Sequence, residues 1–233
     1  DKAASEHIET AEQRLFHLAS EGTGQRTFVS INHSVTEAIR SAELAYKRSG
    51  ETIGLPTGIG GLNKLLGGLQ NSDLIILAGR PSMGKTALAL SIAHSIAKHF
   101  HHDHESSGSI AKPQSVGFFS LEMAAEQLAS RLLSSDSGIN ASDIRKGTLS
   151  ADQFGKLVES SRMVAQLPLF IDDTPALSIA AMRARARRLK RIHNLGLIVV
   201  DYLQLMRGTS TKGDNRVQEV SEITMGLKAI AKE

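Results

Sequence analysis

The run Gly79-Arg80-Pro81-Ser82-Met83-Gly84-Lys85-Thr86 fills the pattern G-x-x-x-x-G-K-[ST] at every fixed position. It constrains the fold more than any other feature of the chain, because such a loop works only between a buried strand and a helix. Leu74-Ile75-Ile76-Leu77-Ala78 reads as the strand, and Ala87-Leu88-Ala89-Leu90-Ser91-Ile92-Ala93 opens the helix. Glycines let successive backbone N–H groups wrap phosphate oxygens closely, and the helix N-terminus adds positive potential. The pattern implies a nucleoside triphosphate held by residues 79–86, with Lys85 reaching the β- and γ-phosphates and the Thr86 hydroxyl on Mg²⁺.

Three further apolar runs, Val116–Ser120, Leu169–Asp172 and Leu197–Asp201, read as buried strands. Helical spacing occupies the intervals around 85–99, 123–135, 150–165 and 178–193. Strands alternating with helices predict an α/β domain with a mainly parallel sheet, starting near Ile53. Residues 54–69 are dense in turn formers around a short apolar helix. Ahead of this domain, Ile8, Ala11, Leu15 and Leu18 have helical spacing, and Gly22-Thr23-Gly24 ends that segment. A second helix is predicted over about 35–48. Val35, Ala38, Ile39, Ala42 and Leu44 or Ala45 lie on one side of it, Ser34 and Glu37 form a capping box, and Gly50 ends it. From spacing alone this amphipathic helix either packs on its own domain or docks on a neighbour. The organisation is therefore 1–20, a linker over 21–52, and the main domain over 53–233.

With 233 residues, 41% of them hydrophobic, the chain can build a full core. It has no cysteine, so disulfides and thiolate metal sites are excluded. No apolar run approaches the roughly 18 residues of a membrane helix, and no signal-like segment stands at the start. A soluble, cytoplasmic protein without membrane contact is expected. The formal charge of +3 permits a polyanionic partner without demanding one.

The apolar strand Leu197-Ile198-Val199-Val200 ends in Asp201, the pattern of a Walker B element; a carboxylate there would hold Mg²⁺ through its water shell. Phe118-Phe119-Ser120-Leu121-Glu122-Met123 places Glu122 at the C-terminal end of a strand, the edge where ligands gather in open α/β sheets. Glu122 could there polarise the water that attacks the γ-phosphate. An ordinary acid at a helix N-terminus fits the same position.

Taken together, TGIGGLNKLLGGLQNSDLIILAGRPSMGKTALAL (57–90), VGFFSLEM (116–123), LGLIVVDYLQLM (195–206) and DNRVQEVSEITMGLKAIAKE (214–233) resemble the bacterial replicative DNA helicases of the DnaB family, within the RecA-like motor ATPases. The resemblance implies a RecA-like P-loop core preceded by a helical linker. It implies ATP and Mg²⁺ as ligands, Glu122 as catalytic base beside Lys85, and Asp201 with Thr86 at the metal. It also implies a homo-hexameric ring on single-stranded DNA at the replication fork, with primase and a helicase loader as partners. The helix at 35–48 matches the family's linker helix, which docks on the adjacent subunit. Residues 1–20 match the tail of an N-terminal domain, and the family continues beyond Glu233 into a further core strand that lies between the P-loop and Walker B strands. The family's sensor glutamine, arginine finger and main DNA-binding loop follow there, so unwinding by residues 1–233 alone is not expected.

Three polar features remain. His99, His101, His102 and His104, with Asp103 and Glu105, read as an exposed insertion over His99–Gln114 rather than as a metal site. Arg183, Arg185, Arg187, Arg188, Lys190 and Arg191 make a basic helix whose apolar stripe is Ile179, Met182, Ala186 and Leu189; its charges read as a solvated face or as phosphate contacts. In the family, loops at the position of 207–216 touch the backbone of single-stranded DNA, which makes Lys212 and Arg216 the candidate contacts. No aromatic in that loop offers a base-stacking platform. Two other functions share parts of the pattern: a RecA- or RadA-like recombination ATPase, and a nucleotide-regulated assembly or loading factor that does not translocate. FFSLEM and VVDYLQLM argue against the first.

Overall fold

The computed structural model describes residues 28–47, 54–109, 111–207 and 216–233, and the chain divides into two compact units, 1–53 and 54–233. The segment 1–20, its expected helix, and Lys212 lie outside the described residues. In the first unit, α1 runs Ile31–Lys47 and starts four residues earlier than the periodicity predicts. Ser30, not Ser34, caps it: the Ser30 hydroxyl accepts from the His33 N–H at 3.3 Å. Val35 and Ile39 on its apolar side are 47% and 64% exposed.

The second unit begins with a turn-rich segment in which Leu55 and Leu69 pair as an isolated antiparallel bridge around α2 (Gly60–Leu66). Buried Thr57 organises it. The Thr57 N–H and hydroxyl both donate to Asn63 Oδ1, at 2.9 and 2.6 Å. Next come α3 (Lys85–Ser107), β1 (Ser115–Ser120), α4 (Ala125–Ser137), α5 (Ala141–Lys146) and α6 (Ala151–Ala165). Then follow β2 (Leu169–Asp172), α7 (Ile179–His193), β3 (Leu195–Asp201), a single 3₁₀ turn (Leu203–Leu205) and α8 (Arg216–Lys232). The strands form one parallel sheet in the order β2-β1-β3.

Alternation along the strands makes this a three-layer sandwich. Val116 and Phe118 of β1, Leu169 and Ile171 of β2, and Leu197 and Val199 of β3 face α3 and α4, where Ala93, Ile96, Ala97, Phe100, Leu128 and Leu132 are buried. Phe119, Ile198 and Val200 face α7 and α8, against Met182, Ala186, Ile223 and Leu227. The apolar stripe of the basic helix is therefore its core face. Helix α8 and the short α5 are not anticipated by the sequence reading.

Two expectations need correction. Leu74–Ala78 forms no strand, and Ile75, Ile76 and Leu77 are 49%, 59% and 45% exposed. Apolar β-branched residues suit a sheet, yet a strand exists only where a neighbour completes the hydrogen-bond ladder, and no described segment pairs with this one. The second concerns residues 99–107, expected outside the helix. They continue α3 instead, because Phe100 is 5% exposed and packs on Gly196, where an added Cβ would come within 2.9 Å of the ring. On the polar side, His99 pairs with Asp103 and His101 with Glu105, each at 3.3 Å and one turn apart. Gly108, at φ 58°, ends the helix in the left-handed region.

Candidate functional site

Parallel pairing sets Ser120 opposite Asp201, so β1 and β3 end side by side. The Leu121 N–H donates to the Asp201 carbonyl at 2.7 Å, carrying the ladder one step into the turn that holds Glu122. Both predicted acids thus stand on the C-terminal edge of the sheet. They differ in environment: Asp201 is 6% exposed, whereas Glu122 is exposed and makes no hydrogen bond or ion pair with another described residue.

The loop 79–84 leads into α3 at Lys85. Gly84 has φ 85°, and with no side chain capping the helix its first N–H groups are left for a ligand. The Lys85 stem lies over Gly79, whose absent Cβ would sit 3.4 Å from Lys85 Cγ. Lys85 Nζ is 5.7 Å from the centroid of the Tyr202 ring. That contact brings the P-loop lysine beside the residue that follows Asp201. Gly79, Arg80, Pro81, Ser82, Met83 and Gly84 are exposed, and Lys85 and Thr86 are half-buried.

One Asp201 oxygen, Oδ2, is buried without a hydrogen-bond partner. An orphaned buried carboxylate oxygen is costly unless something cationic meets it. Among the described residues no group of three or more His, Cys, Asp or Glu gathers to hold a metal by side chains alone. A single carboxylate beside a phosphate loop is the donor set of Mg²⁺, which keeps its waters and takes phosphate oxygens as ligands. The residues present fit that ion.

The strand β2 contributes a pair of acids that the sequence reading does not single out. Asp172 accepts twice from Arg185 Nη1, at 2.8 and 2.6 Å. Burial alone would raise its pKa, but Arg185 and Thr174 outweigh that and hold it below the ordinary carboxylate value. Asp173 Oδ2 accepts from the Ala125 N–H at 2.9 Å, supplying α4 with the cap that Ala124 lacks. The signal is the doubled Asp at a strand end. Thr57 and Gly58 are missed in the same way. Gly58 has φ 81°, and a side chain there would run into Ser95 of α3, so the segment 54–69 packs tightly behind the P-loop helix.

Of the two predicted DNA contacts, Arg216 is among the described residues and Lys212 is not. The Arg216 Nη2 donates to the Gln204 carbonyl at 2.6 Å, and its Nη1 pairs with Glu219. On the basic helix, Arg183 and Arg187 both pair with Glu233. A cleft of about 300 Å³ under α7, lined by Gly117, Phe170, Asp172, Arg188 and His193, is separate from the P-loop residues. No helix among the described residues is long and apolar enough to cross a membrane.

Residues 54–233 match the family described as DnaB-like helicase C terminal domain. The replicative DNA helicase DnaB of Rickettsia bellii (strain RML369-C) is 50% identical over 234 residues, covering 99% of this chain and 46% of that protein. A solved structure described as an ATPase domain superimposes with a TM-score of 0.77 at 26% identity, over 88% of this chain and 68% of the other. A DnaB-like replicative helicase solved with reference to its interactions with primase shares the fold at a TM-score of 0.72 and 24% identity, over 98% of this chain and 55% of that one. The chain spans about half the length of the curated relatives it matches. With the P-loop and Walker B elements on one edge of a RecA-like α/β core, and with these matches, the chain belongs to the DnaB family of replicative helicases.

Proposed function

We propose that this chain is the motor core of a replicative DNA helicase, hydrolysing ATP to move along single-stranded DNA and open duplex at the replication fork. The observation that carries the reading is that Lys85 Nζ lies 5.7 Å from the ring of Tyr202, the residue next to Asp201, whose Oδ2 is buried without a partner. Residues 79–86 cradle the triphosphate, with Lys85 on its terminal phosphates. Thr86 and Asp201 hold Mg²⁺, which neutralises charge on the phosphate oxygens when bound. Glu122, with no partner among the described residues, is free to orient a water and take its proton. Residues 207–216 touch DNA phosphates through Lys212 and through Arg216, the latter by exchanging its contacts with Glu219 and the Gln204 carbonyl for phosphate. In the full-length protein the chain works in a homo-hexamer, with α1 docked on the adjacent subunit and with primase and a loader as partners in the cytoplasm.

Steady-state ATP turnover of the full-length protein, with and without single-stranded DNA, tests the reading. Marked stimulation by DNA, abolished in Glu122→Gln while ATP binding persists, is expected. Turnover indifferent to DNA would replace the motor with an assembly or loading ATPase. Wild-type turnover in Glu122→Gln would remove Glu122 as the base.

A further inference from the structure

Glu122 makes no hydrogen bond or ion pair with any other described residue, so what the protein itself fixes is the backbone turn from which its side chain leaves. That turn is closed by one buried side chain. Ser120, 1% exposed, donates its hydroxyl to the Met123 carbonyl at 2.6 Å, and the same oxygen accepts from the Met123 N–H at 3.3 Å. Glu122 sits inside the loop those two bonds close. Within it, the Leu121 N–H is tied to the Asp201 carbonyl at 2.7 Å, and just beyond it the Ala125 N–H is tied to Asp173 Oδ2 at 2.9 Å. The turn is therefore strapped to β3 on one side and to the β2–α7 loop on the other.

We infer that Ser120 is a positioning residue for Glu122, with Asp173 bracing the same turn from the end of β2. The inference rests on the reading of Glu122 as the base. A carboxylate that takes a proton from attacking water must be held within a fraction of an ångström. The turn fixes the anchor from which an unpaired glutamate must reach the water, and a displaced anchor displaces every reach of the side chain. Ser120 is too deeply buried to touch substrate and acts through Glu122 alone.

The test compares Ser120→Ala, Glu122→Gln and the double variant in the full-length protein, reading kcat, KM for ATP and ATP affinity. Ser120→Ala is expected to lower kcat about ten-fold while KM and affinity stay within about two-fold. In the Glu122→Gln background the same change should cost nothing further, because the group it positions is gone. Wild-type kcat in Ser120→Ala beside an inactive Glu122→Gln overturns the positioning role and leaves the base assignment standing. A parallel loss of ATP binding overturns it as well, by showing a general structural defect. Active Glu122→Gln removes the base reading first, and the inference with it. If Ser120→Ala does not fold, Asp173 decides: Asp173→Ala should slow turnover, and Asp173→Asn, whose amide oxygen still accepts from Ala125, should restore it. Equal wild-type rates in both overturn the inference.

Discussion

Asp201 is held at a cost to the fold. Its Oδ2 is buried and unpartnered, and a buried carboxylate lacking a counter-charge works against folding. Asp201→Asn should therefore leave the thermal midpoint in metal-free buffer unchanged or raised, while lowering Mg²⁺-dependent turnover at least about 100-fold. A fall in both would make Asp201 a structural residue. A second residue is legible through pH. His94 is buried on α3; burial, and then Lys98, lower its pKa below the ordinary 6.5, with Asp136 opposing. Above pH 6.5 both folded and unfolded chains hold the imidazole neutral, so its contribution is fully present. As pH falls through 6.5 the unfolded chain takes up the proton first, and stability drops until the lower folded pKa is passed. The urea midpoint should fall as pH drops below 6.5, and His94→Gln should flatten that slope. Asp136 is displaced downward chiefly by its hydrogen bond from Lys98, so its contribution is lost only at more acid pH, below its ordinary value.

Between elements, α8 crosses α7 closely at Gly226. A Cβ on Gly226 would stand 2.4 Å from Ile179 Cγ1. Gly226→Ala should destabilise the domain by about 1–3 kcal/mol, and Ile179→Ala in the same chain should recover part of it by making room. Denaturant midpoints of the two single variants and the pair measure the coupling; strict additivity would deny the contact. Nothing in the sequence marks this crossing, because a lone glycine in a helix says nothing about what it meets. The elements that can be read are those with a strong local signature: β1, β2 and β3 from their apolar runs, and α6 from its start at Ser150, which caps Gln153 reciprocally. Leu74–Ala78 misleads for a physical reason, since pairing is a property of two segments and the run describes one. Residues 99–107 mislead because their helix is held by Phe100 against Gly196 and by i,i+4 pairs, neither of which shows in a polar composition. At the site, the P-loop, Asp201 and Glu122 can be located by motif, whereas Ser120 and Asp173 matter only through hydrogen bonds made across turns.

Over the whole molecule, 27 basic side chains against 24 acidic ones leave little net charge, so any grip on a polyanion depends on which cations are unpaired. The basic helix α7 is the obvious DNA candidate by composition, yet Arg183 and Arg187 are engaged by Glu233 and Arg185 by Asp172. Moving those arginines onto phosphates would break these surface ion pairs, each worth about 1 kcal/mol or less, so DNA has to displace them before it gains the contacts. Single-strand binding by the full-length protein should therefore be indifferent to Arg183→Gln and Arg187→Gln. Lys212→Gln, in the loop proposed to touch DNA, should weaken binding about equally on all sequences. It should also reduce the slope of log K against log salt by about 0.7, the signature of one lost phosphate contact on a single strand. Titrations at several salt concentrations separate the cases. A reduced slope in the arginine variants would move the DNA path from the loop onto α7, and the ion pairs to Glu233 would then be contacts that DNA displaces.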